Sequence, residues 1–296
     1  MRFKRITAAL LAICMLAGFT TAFAAHEGEE RTVIGVDISQ SQVEEVYEDF
    51  GIERGDVTEL TVTNDEEREY LEGLVDNSVI GSRSISCVYI KVMEEGEGLD
   101  VTAHNINWCT EEIYANALVT AGITDAEIIV TAPFTVSGTA ALTGIYKAYE
   151  DITGEELDET AKEVGTEEMV ITSELAEQIG NYDATILVNE LKLMLDELEN
   201  YTDEELYDEI VRIAGEYGIT LTDDQINQLI KLARGLQKMD NSELLENVQN
   251  IQGKLKDLAG ILENADNSAE GIRAFFANIG DFFKSIGDFF KRIING

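Results

Sequence analysis

The chain has 296 residues, 45% of them hydrophobic, which gives room for two ordinary domains around a sizeable core. Its single proline excludes a Pro-rich stalk or a collagen-like chain. With 58 acids against 21 bases the net charge is −37, so the chain lacks the basic footprint that a nucleic-acid partner requires.

Residues 1–24 read as a secretory signal peptide. Arg2, Lys4 and Arg5 form a basic start, an apolar run follows over residues 6–19, and Ala22-Phe23-Ala24 supplies the small-x-small pattern of a cleavage site. The run is short for a membrane span, and no later stretch approaches spanning length. Cys14 is a poor lipoprotein site because bulky Ile13 precedes it. These features predict a secreted or extracytoplasmic protein that is not integral to the membrane. The charge is unevenly spread: residues 25–250 hold 52 acids and 12 bases, whereas residues 251–296 hold six of each. An acidic body of this kind is soluble and self-repelling.

Residues 32–36 (TVIGV) read as a strand, after which Ser39 opens a helix with Gln42 as its capping-box partner. Residues 57–62 form a second strand. Asn64 and Glu67 repeat the capping signal before a helix with Tyr70, Leu71 and Leu74 on one side. Residues 84–93, rich in β-branched and aromatic side chains, and the alternating residues 99–108 flank the polar turn Glu94-Glu95-Gly96-Glu97-Gly98, so the pair reads as a hairpin. Thr110 caps a helix bearing Ile113, Tyr114, Ala117, Leu118 and Ala121 at helical spacing, and Gly122 ends it. Residues 127–131 are a short strand of buried type. Ser137 opens a further helix, which Gly154 stops. The interleaving predicts a mixed-sheet, sheet-and-helix domain over residues 25–153.

No strand pattern of any strength follows residue 166, and residues 155–264 read as an all-α domain. Residues 184–198 are helical, and Thr202 with Glu205, Thr222 with Gln225, and Asp240 with Glu243 each form a capping box. Leu244, Val248, Ile251, Leu255, Leu258 and Leu262 step alternately by four and three, the spacing of a heptad seam. Such a seam packs within its own helical domain or self-associates with another copy. The predicted fold class is therefore α+β, completed by an amphipathic helix over residues 272–295.

That last segment is the most distinctive part of the chain. Phe275, Phe276, Ile279, Phe282, Phe283, Ile286, Phe289 and Phe290 form one wide aromatic face on a helix, and the unit Gly-Asp-Phe-Phe-Lys occurs twice, seven residues apart. Residues 272–296 carry four bases and two acids. The apolar face is much wider than a coiled-coil seam. It suits a membrane surface or the groove of an envelope protein, and the competing reading is burial on the chain's own domain or on a second copy.

Several blocks are familiar as a set: residues 32–37 (TVIGVD), 60–71 (LTVTNDEEREYL), 80–86 (IGSRSIS), His104-Asn105-Ile106, 114–123 (YANALVTAGI) and 132–145 (APFTVSGTAALTGI). Together they resemble the YpuA-like family of secreted Gram-positive proteins, a domain of unknown function (family 1002). The resemblance is dense over residues 31–150 and looser to about residue 240. It implies compartment and domain extent and carries no catalytic residues.

Candidate chemistry is sparse. After the signal peptide the histidines are His26 and His104, and a hydrolase reading pairs His104 with Ser137 as nucleophile. Val136-Ser137-Gly138 lacks the glycine that precedes the serine of a nucleophile elbow, and Ser137 reads more simply as a helix cap. Ser137, Gly138 and Thr139 could also present free N–H groups to an anion, although no phosphate-binding lysine or dinucleotide fingerprint accompanies them. The loop at residues 76–81 fails as a calcium site because Ile80 stands at a ligand position, zinc is unsupported, and no cofactor is indicated.

Cys87 and Cys109 permit a disulfide in an exported chain. In the predicted hairpin Cys109 faces about residue 83, roughly 13 Å along the strand from Cys87, and only a bulge or a bend after Trp108 would bring the two together. The leading expectation is an exported, non-catalytic envelope protein with a peripheral tail. The alternative is a secreted hydrolase using the loops near His104 and Ser137.

Overall fold

The computed structural model describes residues 26–195, 200–239 and 244. The signal peptide at 1–24, the Asp240–Glu243 capping box, the seam beyond Leu244 and the aromatic tail at 272–295 lie outside the described residues.

Five strands, β1 (Glu30–Gly35), β2 (Thr58–Val62), β3 (Cys87–Val92), β4 (Leu99–Ile106) and β5 (Ala126–Val136), form one sheet in the order β2-β1-β3-β5-β4. β1 pairs in parallel with β2 (Val33 opposite Leu60), and β4 in parallel with β5 (Val101 opposite Ile128). β3 runs antiparallel to both β1 and β5. The fold is thus the α+β, mixed-sheet type that the sequence predicts. The predicted hairpin is corrected: β3 and β4 do not pair, because β5 lies between them. The cause is burial. β5 is closed off over most of its length and takes a central place, while β4 turns polar and exposed toward His104 and Asn105 and takes the edge.

The helices are α1 (Gln40–Phe50), α2 (Asn64–Leu71), α3 (Asn77–Ile80), α4 (Glu111–Thr120), α5 (Thr139–Thr153), α6 (Glu159–Ile179), α7 (Asn181–Leu193), α8 (Asp203–Glu216) and α9 (Asp223–Leu236). Strand alternation divides the interior in two. Ile34, Cys87 and Tyr89 face α1, where Val43, Val46, Tyr47 and Phe50 cover them. Val33, Val88, Ile90, Ile128 and Val130 face the other way, into a cluster that takes in α4 and α5 and continues through α6, α7, α8 and α9 to Leu244. Beyond Gly154 every described element is helical, and this segment shares its core with the sheet. No helix among the described residues is long and apolar enough to cross a membrane.

Capping boxes form at Ser39 with Gln42, Thr202 with Glu205 and Thr222 with Gln225, each satisfying otherwise orphaned N–H groups. The box expected at Asn64 and Glu67 sits one residue earlier, at Thr63 and Glu66. That shift leaves Glu67 to turn inward.

Candidate functional site

The C-terminal ends of β1, β2, β4 and β5 share one edge of the sheet, the edge at which open α/β sheets bind ligands. Here β5 passes through Ser137 into α5. The residue expected to cap α5 is corrected: Gly138, at φ 95°, is the N-cap, and no side chain caps it. The position admits only glycine, because a Cβ there would lie 2.6 Å from Ile106 Cγ2 as well as in the left-handed region. Tyr114 reaches across and donates its hydroxyl to the Gly138 carbonyl.

Ser137 donates its hydroxyl to the Val79 carbonyl at 2.9 Å and lies 3.2 Å from the Thr139 hydroxyl. Thr139 donates to Glu67 Oε1, and Asn64 Nδ2 donates to Glu67 Oε2 at 3.0 Å. Glu67 is 1% exposed. Burial pushes its carboxyl above the usual range, against the pull of these two donors and of Arg68. Glu67 therefore stands where the sequence placed an incoming anion: the first turn of α5 already faces a carboxylate from within the chain.

A recess of about 310 Å3 opens beside this group, with Glu67, Arg83, Phe134, Ser137 and Gly138 in its wall. Arg83 is exposed and has no ion-pair partner among the described residues. His104 is not in that wall. It is exposed on the edge strand in register with Thr131, separated from Ser137 by the irregularity that sets Ile106 opposite Val136. The structure gives Ser137 a carbonyl to bond to and does not bring His104 to it.

Cys87 and Cys109 are free, buried thiols in different core clusters, Cys87 under α1 and Cys109 on the helical side. The disulfide that the sequence left open is not formed. Burial pushes each thiol up to about 12, so neither is a ready nucleophile. Among the described residues no three His, Cys, Asp or Glu side chains group as metal ligands.

A buried polar cluster escapes sequence reasoning. Lys192 of α7 and Glu168 of α6 form an ion pair inside the helical layer, Thr120 of α4 donates to the same carboxylate at 2.6 Å, and Lys192 Nζ lies 3.3 Å from the Asn116 carbonyl. In sequence Lys192 reads as a polar-face residue. It is buried because neighbours surround α7 on most sides.

Fold and site together define an α+β protein with a five-stranded mixed sheet, one helix on its first face and a helical layer on its second. Residues 34–258 match the family described as "Protein of unknown function (DUF1002)", and the chain belongs to that family. A protein of Bacillus subtilis (strain 168) described as "Uncharacterized protein YpuA" is 42% identical over 220 residues, covering 73% of this chain and 74% of the relative. No solved structure matches the chain.

Proposed function

We propose that this chain is an exported, non-catalytic protein of the cell envelope, held reversibly at a membrane surface by its C-terminal residues 272–295. The observation that carries the reading is the concentration of six of the chain's 11 phenylalanines in that segment, spaced to share one helical face beside Lys284 and Lys291. The family match ends at residue 258, before the aromatic segment begins. The Ser137 hydroxyl donates to the Val79 carbonyl and not to His104, which favours binding over hydrolysis.

The test is flotation of residues 25–296 with small phosphatidylcholine–phosphatidylglycerol vesicles. Phe282→Asp with Phe289→Asp should release the protein from the vesicles and leave its melting temperature unchanged. A wild-type protein that ignores vesicles, and that loses melting stability when the two phenylalanines are replaced, would show that the segment belongs to the folded core.

A further inference from the structure

The end of the sheet opposite the Glu67 recess carries a larger cavity, of about 580 Å3. Its walls come from the close of β3 (Val92), the end of α4 (Val119), the last turns of α5 (Tyr149) with its link to α6 (Leu157), and the residues after α9 (Met239, Leu244). A cavity of about 150 Å3 already admits a benzene ring, so this one has space for several apolar side chains.

We propose that residues 245–262 of the same molecule dock over this cavity as a helix continuing from Leu244, with Val248 and Ile251 filling it. Three observations carry the assignment. Leu244 is the first residue of the seam, and it is 5% exposed and already part of the cavity wall. Helical continuation places Val248 and Ile251 on the Leu244 face, about 6 and 10 Å farther along the axis. Residues 245–262 balance Lys254 and Lys256 against Glu246 and Asp257, so this segment can lie against the Glu155, Glu156 and Asp158 of the cavity wall, where Lys238 also stands, without adding net negative charge. The family match also runs to residue 258, past Ile251 and Leu255, so the common body includes this segment. The assignment is independent of the membrane reading. It ties the seam to its own body and leaves only the residues after 262 as a tether for the aromatic segment.

The experiment compares residues 25–296 with the variant Val248→Asp, Ile251→Asp by amide hydrogen exchange, binding of a dye for exposed apolar surface, and sedimentation. The amides of Gly122, bonded to the Val119 carbonyl, and of Leu157, bonded to Glu150, report on the cavity rim. The variant should lose protection at both, gain dye binding, and stay monomeric like the wild type. The amides of Val33 and Ile90 in the central strands should keep their protection. If the aspartate pair unfolds the whole body, Val248→Ala with Ile251→Ala replaces it, with partial loss of rim protection expected. Unchanged rim protection and dye binding would overturn the proposal. So would loss of protection in Phe282→Asp, Phe289→Asp instead, which would assign the cavity to the aromatic tail. A wild-type dimer that dissociates in the seam variant would assign it to a second copy.

Discussion

Lys192 Nζ lies 2.6 Å from Glu168 Oε1 with neither side chain more than 1% exposed. Desolvation disfavours both charges, raising the Glu168 carboxyl and lowering the Lys192 ammonium, and each group opposes the other's shift through its own charge. Such a pair is costly to break and cheap to replace, because the remaining ion has no water to return to. Lys192→Met should therefore cost about 3–5 kcal/mol. Lys192→Met with Glu168→Leu should recover most of that loss, less what Thr120 gives up when its acceptor disappears. Urea unfolding midpoints of the three proteins check this. Equal loss in the single and double variants would mean that packing, and not charge, holds the two helices together.

The two thiols offer a compartment-independent check. Both are buried and pushed up to about 12, so the native protein should be inert to a thiol reagent at pH 8. Residues 25–296 unfolded in denaturant without reductant should titrate two thiols. Finding none would mean that the chain oxidises into an arrangement different from this one.

Gly138 tests the turn from β5 into α5. An alanine there would occupy the left-handed region and press on Ile106 and the Tyr114 hydroxyl. Overpacking alone costs about 1–3 kcal/mol. The left-handed backbone adds roughly 1–2 kcal/mol. A fall in melting temperature of several degrees should result. Gly154→Ala, also at positive φ but with open space around it, should show the smaller backbone cost alone. Equal effects at the two sites would refute the packing argument.

Local signals in the sequence were readable where the physics is local. Ser39, Thr202 and Thr222 announce their helices because a cap is decided within four residues. Gly154 likewise ends α5 at φ 67°. The hairpin failed for the opposite reason. A polar glycine turn between two strands suggests adjacency, while the actual neighbour of both, β5, comes 20 residues after β4. The usable clue was the polar stretch from Thr102 to Asn105, which marks β4 as an edge. At the Glu67 recess the serine and threonine were visible, but their partners Val79 and Glu67 are 58 and 72 residues away. Periodicity does not report contacts of that separation.

Glu67 supplies the pH prediction. Its carboxyl is raised by burial, while Thr139, Asn64 and Arg68 pull it back, and the nearby thiol of Cys109 and phenol of Tyr114 are neutral in the same core. A carboxyl raised in the folded state binds its proton more tightly there than in the unfolded chain. Its stabilising share is therefore fully present below the unfolded value near 4.5 and is lost as pH rises through the folded value. Glu67→Gln removes the titration. The glutamine oxygen can accept from only one of the two donors, which adds a pH-independent offset. Stability of the wild type relative to Glu67→Gln should consequently fall as pH rises from about 4 toward 7. The shared surface repulsion of this acidic chain largely cancels in the difference. Thr139→Val, which deletes a donor to the charged form, should extend the fall to higher pH. Urea midpoints taken across that range decide the matter: parallel curves for wild type and Glu67→Gln would mean that Glu67 titrates alike in both states, and that the first turn of α5 does not hold a buried carboxylate.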